Sequence, residues 1–158
     1  VPKLPVHGLA ETAHFTNQPL PAKVVDQLIR RVATAPGGTR DAYCEVRLMC
    51  WTGGKVNTVA PEATAYVHRT SNGLLRPAIW WQPSSSPGVQ REMQGWFSDT
   101  LRFITPHCQP SAFQNWPYRG LPDALTQYYG SNLPRLTQVK KAYDPNNLFR
   151  YEQSVPVG

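Results

Sequence analysis

Between residues 22 and 35 the apolar positions Val24, Val25, Leu28, Ile29 and Val32 recur at helical spacing, with Lys23, Asp26, Arg30 and Arg31 opposite them. One inward stripe of that period predicts a helix, opened by Pro21 and ended by Pro36-Gly37-Gly38. A second stripe, Val89, Met93, Trp96, Phe97, Leu101 and Ile104, predicts a long helix over 88–105. Shorter helices are predicted over 121–129, stopped by Gly130, and over 133–143, with Leu133, Leu136, Val139 and Tyr143 inward. Pro134 is tolerated in that first turn, where a backbone N–H has no helical partner. Asp144-Pro145-Asn146-Asn147 closes the last helix, with Leu148 and Phe149 expected to pack back on it.

The middle of the chain has a different pattern. Residues 43–50 alternate, with Glu45 and Arg47 on one face and Val46 and Leu48 on the other, which predicts a strand. Further strands are predicted over 55–59, 63–69 and 74–82, the last two joined by the turn Ser71-Asn72-Gly73. The lead-in, punctuated by Pro2, Pro5, Pro19 and Pro21, reads as extended, with a strand around Ala13-His14-Phe15. Consecutive strands flanked by helices predict an α+β fold, an antiparallel sheet covered by helices on one face, rather than alternating βαβ units.

Length and composition narrow the picture. A chain of 158 residues is expected to form a single domain over 1–158. At 41% apolar and 16% charged residues it is too apolar to be disordered. No apolar run approaches the ~18 residues of a membrane span, so no membrane association is expected. The net charge of +6 is scattered over Lys23, Arg30, Arg31, Arg40, Arg47, Arg69 and Arg76, with only Lys140-Lys141 adjacent further on. Nucleic-acid binders gather such charge on one face, so a nucleic-acid partner is not expected; an acidic partner or anionic ligand stays open. The chain starts at Val1 and carries no leader pattern, which reads as a processed chain or a piece of a longer one.

Short motifs exclude more than they assign. Gly37-Gly38 and Gly53-Gly54 fit neither dinucleotide nor P-loop fingerprints. His7, His14, His68 and His107 lack metal-ligand spacing, as do Cys44, Cys50 and Cys108; no metal is expected, and the thiols read as buried and inert. His68-Arg69 reads as a hydrogen-bonding pair or as an anchor for an anionic group. Glu45 and Arg47 form either a salt-bridged solvent face or one wall of a ligand site. Trp80, Trp81, Trp96 and Trp116 serve either core packing or an aromatic wall.

The C-terminal third is more specific. It reads Ser-Ala-Phe-Gln-Asn-Trp-Pro from Ser111, then Tyr128-Tyr129-Gly130-Ser131-Asn132-Leu133-Pro134-Arg135-Leu136. Val139-Lys140-Lys141-Ala142-Tyr143-Asp144-Pro145-Asn146-Asn147-Leu148-Phe149-Arg150 and Gln153-Ser154 follow. In this order the pieces resemble the C-terminal segment of the berberine-bridge-enzyme-like FAD-linked oxidases. Upstream, Glu45-Val46-Arg47 with Gly53-Gly54, and Ala63-Thr64-Ala65 with His68-Arg69, resemble strands of that family's substrate domain.

The resemblance implies an enzyme in two parts, a flavin-binding domain and a substrate domain with a seven-stranded antiparallel sheet. Substrate lies between the sheet and the flavin, gives a hydride to FAD and loses a proton to a base; dioxygen then usually reoxidises the flavin. Family substrates include sugars, alcohols, alkaloids and polyketides. A binding module that keeps the fold without the catalysis is the alternative. The expected partners are a FAD-binding domain or chain, absent from residues 1–158, and a small-molecule substrate. The family's covalent flavin attachments lie in that other domain, so Cys44, Cys50 and Cys108 do not inherit them.

The resemblance also assigns residues. Phe113 stands where the family has a tyrosine that acts as, or assists, the base; a phenyl ring cannot take a proton. Phe113, Asn115 and Trp116 are thereby expected at the flavin, and Tyr118 is close enough in sequence to replace the missing phenol. The family's second catalytic position lies on a sheet strand, where Glu45 or Arg47 is the expected occupant.

Overall fold

The computed structural model describes residues 8–39, 41–50 and 54–158; Pro2, Pro5, His7, Arg40 and Gly53 of the sequence reading lie outside the described residues. Among the described residues eight strands and α-helices follow one another: β1 (Gly8–Glu11), β2 (His14–Thr16), α1 (Ala22–Ala33), β3 (Ala42–Cys50), β4 (Gly73–Trp81), α2 (Pro87–Ile104), α3 (Ala124–Tyr129) and α4 (Leu133–Tyr143). β4 is the middle of the sheet. β3 pairs antiparallel along all of one side of it, and β1 and β2 share the other side end to end. The α+β class with an antiparallel sheet follows as expected.

Alternation along β4 sorts the two faces. Leu75 and Ile79 point to the helices. Leu75 packs with Val24 and Leu28 of α1 and Ile104 of α2, while Ile79 packs with Ala42, Met93 and Phe97. Ile79, Met93 and Ile104 are fully buried, each stabilising the fold by roughly 1.5–3 kcal/mol through lost contact with water. Ser86 caps α2 by accepting from the Val89 N–H, with Pro87 in the first turn where its missing N–H costs nothing. Trp81 and Trp96 join this helix-side packing, and the Trp96 indole N–H donates to the Arg31 carbonyl. They serve packing and form no ligand wall.

Several expectations are corrected. Residues 55–59 and 63–69 are not strands; Lys55–Thr58 and Pro61–Ala63 are single 3-10 turns. The reason lies in side chains that take the backbone carbonyls a ladder would use. Asn57 donates to the Arg69 carbonyl, and Asn132 donates to those of Pro61 and Thr64. Arg69 donates to Tyr66 and Val56 carbonyls. The lead-in, by contrast, supplies a strand, β1, that its prolines obscured. The sheet therefore has four strands among the described residues, against the seven that the resemblance implies. On α1 only Val24 and Leu28 of the stripe are buried; Ile29 is exposed. On α4 no residue is buried, Val139 and Tyr143 are exposed, and Leu148 and Phe149 do not pack back.

Polar chemistry closes the turn after α4 instead. The Asp144 carboxylate accepts from the Leu148 N–H at 2.7 Å and the Phe149 N–H at 3.1 Å, and is ion-paired to Lys140. Those hydrogen bonds, the one from Lys140 foremost, hold the Asp144 carboxyl below its ordinary pKa.

Candidate functional site: the open face of the sheet

The face of the sheet turned away from α1 and α2 is arranged in rows by the strand register. Leu9, Trp80 and Tyr43 lie side by side across β1, β4 and β3. Two residues along come Glu11, Ala78 and Glu45; two further come Arg76 and Arg47; then Leu74 and Met49, with Phe15 of β2 beside them. Successive rows stand ~7 Å apart, twice the rise of a strand residue. An apolar row, an acidic row, a basic row and a second apolar row thus cross three strands.

The charges are paired. Arg76 spans both carboxylates: its Nη1 donates to Glu45 Oε1 at 2.9 Å and its Nη2 to Glu11 Oε2. Arg47 Nε reaches the same Glu45 Oε1 at 3.0 Å. Both guanidiniums converge on one oxygen, and no hydrogen bond from a described residue engages Glu45 Oε2. Arg76 is nearly buried, Glu45 keeps part of its surface, and the Arg47 side chain is 58% exposed. Arg76 Nε is buried without a hydrogen-bond partner.

Aromatic rings bound the face at both ends. Tyr43 and Trp80 stack with centroids 5.5 Å apart, and Tyr43 and Leu9 are exposed. At the other end Phe113 and Trp116 meet edge to face at 5.1 Å, packed with Phe15 and Leu74, and Arg76 lies 5.0 Å over the Trp116 ring. Among the described residues Trp80 and Trp116 are therefore the tryptophans of this face. Tyr66 stands 6.0 Å from Phe113 as the ionisable ring of that cluster, its phenol pushed above its ordinary pKa by burial. Asn115, between Phe113 and Trp116 in sequence, is exposed, and the neighbouring Gln114 has a buried Oε1 without a partner.

Of the residues expected at a site, the structure gathers Glu45, Arg47, Phe113 and Trp116 on or at the rim of one face, with Asn115 in the same loop. It does not bring Tyr118 to them. The Tyr118 ring packs on Phe97 at 5.3 Å within the helix-side cluster, so the sheet separates it from Glu45. Its backbone has another use: the Tyr118 N–H donates to the Tyr128 hydroxyl, and its carbonyl accepts from Gln153. Sequence reasoning missed Glu11, Arg76 and Tyr66 as members of this face. The alternation of 74–82 already put Arg76 and Trp80 on one side, but only the pairing register puts Arg76 opposite Arg47.

His14 and His68 belong to the interior. His14 is buried, and burial lowers its pKa to about 4. His68 stacks on Phe15 at 4.2 Å, and its Nε2–H donates to the Tyr128 carbonyl at 3.0 Å. Burial shifts His68 downward as well, against the pull of its hydrogen bonds to backbone carbonyls. The pair His68-Arg69 is thus a hydrogen-bonding device that ties 55–72 to α3, since the Arg69 guanidinium is taken up by Tyr66, Val56 and Thr64. Among the described residues no cluster of His, Cys, Asp or Glu could hold a metal ion, and no helix is long and apolar enough to cross a membrane. Burial pushes the Cys44 and Cys108 thiols up to about 11 and about 12; Cys50 is exposed, contrary to the expectation of three buried thiols.

This face fits part of a flavin. A flat, helix-free surface with aromatic rims, and an exposed carboxamide beside an unsatisfied buried Gln114 oxygen, suits the edge of a planar ring with donors and acceptors. The described residues offer no glycine-rich turn for a diphosphate. The fit is that of one wall.

Comparison with known proteins agrees. The family described as "Berberine and berberine like" matches residues 112–156. FAD-linked oxidoreductase sorD of Penicillium rubens is 31% identical over 96% of this chain and 32% of its own length. The uncharacterized FAD-linked oxidoreductase YgaK of Bacillus subtilis strain 168 is 28% identical over 94% of this chain and 31% of its length. A variant of berberine bridge enzyme superposes with a TM-score of 0.82 at 20% identity, over 96% of this chain and 33% of that one, which speaks to the fold. An antiparallel sheet with helices on one side is thus a fold this chain shares with solved proteins of that kind. Residues 112–156 are thus a berberine-bridge-enzyme-like segment, and the chain spans about a third of the length of the curated FAD-linked oxidoreductases sorD and YgaK to which it is similar.

Proposed function

We propose that residues 1–158 are the substrate-domain part of an FAD-dependent oxidoreductase, with the open face of the sheet as its substrate wall. The observation that carries this reading is Glu45, a partly exposed carboxylate held by two guanidiniums through one oxygen, its other oxygen without a hydrogen bond from a described residue, between the two aromatic ends of the face. FAD, when bound, supplies a two-electron acceptor for a hydride from the substrate carbon. Glu45 Oε2 takes the proton that the adjacent hydroxyl or amine loses as the double bond forms. Arg76 holds that carboxylate in place from below, and Trp116 and Phe113 shield the end of the site from water. Asn115, exposed beside Trp116, would meet the flavin as donor and acceptor. Dioxygen is the proposed final acceptor.

The partner is a flavin-binding domain or chain. Tyr143, Leu148, Phe149 and Tyr151 are all exposed along the C-terminal segment, an apolar strip suited to being covered by it.

Glu45→Gln in the flavin-loaded protein tests the role of the carboxylate. Candidate sugars and alcohols are screened for bleaching of the flavin absorbance, and the rate is measured for one that reacts. Loss of about 10²–10⁴ in that rate, with flavin content unchanged, is the expected result; an unchanged rate refutes the assignment. The second reading, a non-catalytic binding module, is favoured by Phe113, which packs among Phe15, Tyr66 and Trp116 where the family's tyrosine would put a phenol. On that reading no substrate bleaches the wild-type protein, and Phe113→Tyr restores turnover.

A further inference from the structure

The same face points to the chemistry of its ligand, and this step rests on the open face being a substrate wall. Arg76 is consumed by its two carboxylates, one on each terminal nitrogen, and is nearly buried. Arg47 is not consumed. Only its Nε is engaged, by Glu45 Oε1, its side chain is 58% exposed, and no hydrogen bond from a described residue uses Nη1 or Nη2. The ion pair holds Arg47 beside Glu45 on the same strand and leaves its two terminal nitrogens for another partner. Two rows away stand the exposed Leu9 and Tyr43, on either side of the half-buried Trp80 on which Tyr43 stacks. Ala78 lies between Glu11 and Glu45 in the row that separates them, too short to interrupt the surface.

We propose that the ligand of this face is an aromatic or apolar frame carrying a carboxylate, with the frame on Leu9, Tyr43 and Trp80 and the carboxylate on the terminal nitrogens of Arg47. Charge complementarity selects it. Two nitrogens of a planar guanidinium match a carboxylate bidentately, a geometry that neither lysine nor a neutral side chain reproduces. The carboxylates nearest the site, Glu11 and Glu45, are already neutralised by Arg76 and Arg47, so they leave the bound anion little net repulsion.

Binding is measured on the flavin-loaded protein by ligand-observed NMR, with 3-phenylpropionate and its neutral counterpart 3-phenylpropan-1-ol as probes. The carboxylate is expected to bind at least about tenfold more tightly at low salt, with the advantage shrinking as salt is raised. Arg47→Gln removes that preference; Arg47→Lys restores only part of it. Tyr43→Ala weakens both probes. Equal binding of the two probes by the wild type, or a preference that survives Arg47→Gln, overturns the proposal while the substrate-wall reading stands. Binding of neither probe, or binding indifferent to Tyr43→Ala, overturns both.

Discussion

Arg76 Nη1 donates to Glu45 Oε1 at 2.9 Å, from a position directly across the strand pair from Arg47. A single guanidinium on the central strand thereby ties a carboxylate of β3 to a carboxylate of β1. Replacing it by Met leaves Glu11 and Glu45, on either side of Ala78, without their shared cation. The expected cost is about 3–5 kcal/mol in unfolding free energy, the penalty for stranding partly buried charge. Arg76→Lys recovers only a fraction, because a point charge cannot span both carboxylates. Urea unfolding of the three proteins checks this.

Tyr128 is fully buried, with its hydroxyl between the Tyr118 N–H at 3.0 Å and Gln153 Oε1 at 3.2 Å. Tyr128→Phe keeps the ring and removes both bonds. A loss of about 1–3 kcal/mol is expected, since the Tyr118 N–H is left without its acceptor. Hydrogen exchange at the Tyr118 amide should speed up, and the segment around Gln153 should loosen with it.

His14 gives a pH dependence whose sign is fixed. Its pKa in the fold is about 4, below the ordinary 6.5, so the unfolded chain binds the proton more readily. Stability should fall as pH drops below about 6.5, with the loss complete near pH 4 at roughly 3 kcal/mol for this group. Urea midpoints measured from pH 8 to pH 4 for wild type and His14→Gln should converge in slope at neutral pH and separate in acid, the variant losing less.

The three thiols should react differently. Cys50 is exposed, whereas burial holds Cys44 and Cys108 at about 11 and about 12. Iodoacetamide at pH 8 is expected to label one site in the folded protein and three in urea, read by mass spectrometry. Labelling of Cys108 at the rate of Cys50 would contradict the packing described for α2 and its neighbours.

Local pattern was sufficient wherever an element makes its own hydrogen bonds or shows a clear period. α2 and α4 lie where the apolar spacing and proline placement put them, β3 and β4 follow from alternation, and the ordered C-terminal motifs identify the family. Those signals are carried by residues a few positions apart, so the sequence by itself determines them. The tertiary structure decided what depends on distant partners. Residues 55–69 have strand-like composition, yet Asn57 and Arg69 within the segment and Asn132 from far along the chain claim its carbonyls. Tyr118 lies near Phe113 in sequence, yet packs against Phe97 on the other side of the sheet. The row of Arg76 beside Arg47, with Glu11 and Glu45 in the next, exists only because two strands from opposite edges take one register against β4. Register is a non-local choice, set by which faces can be buried, and no window of the chain contains it.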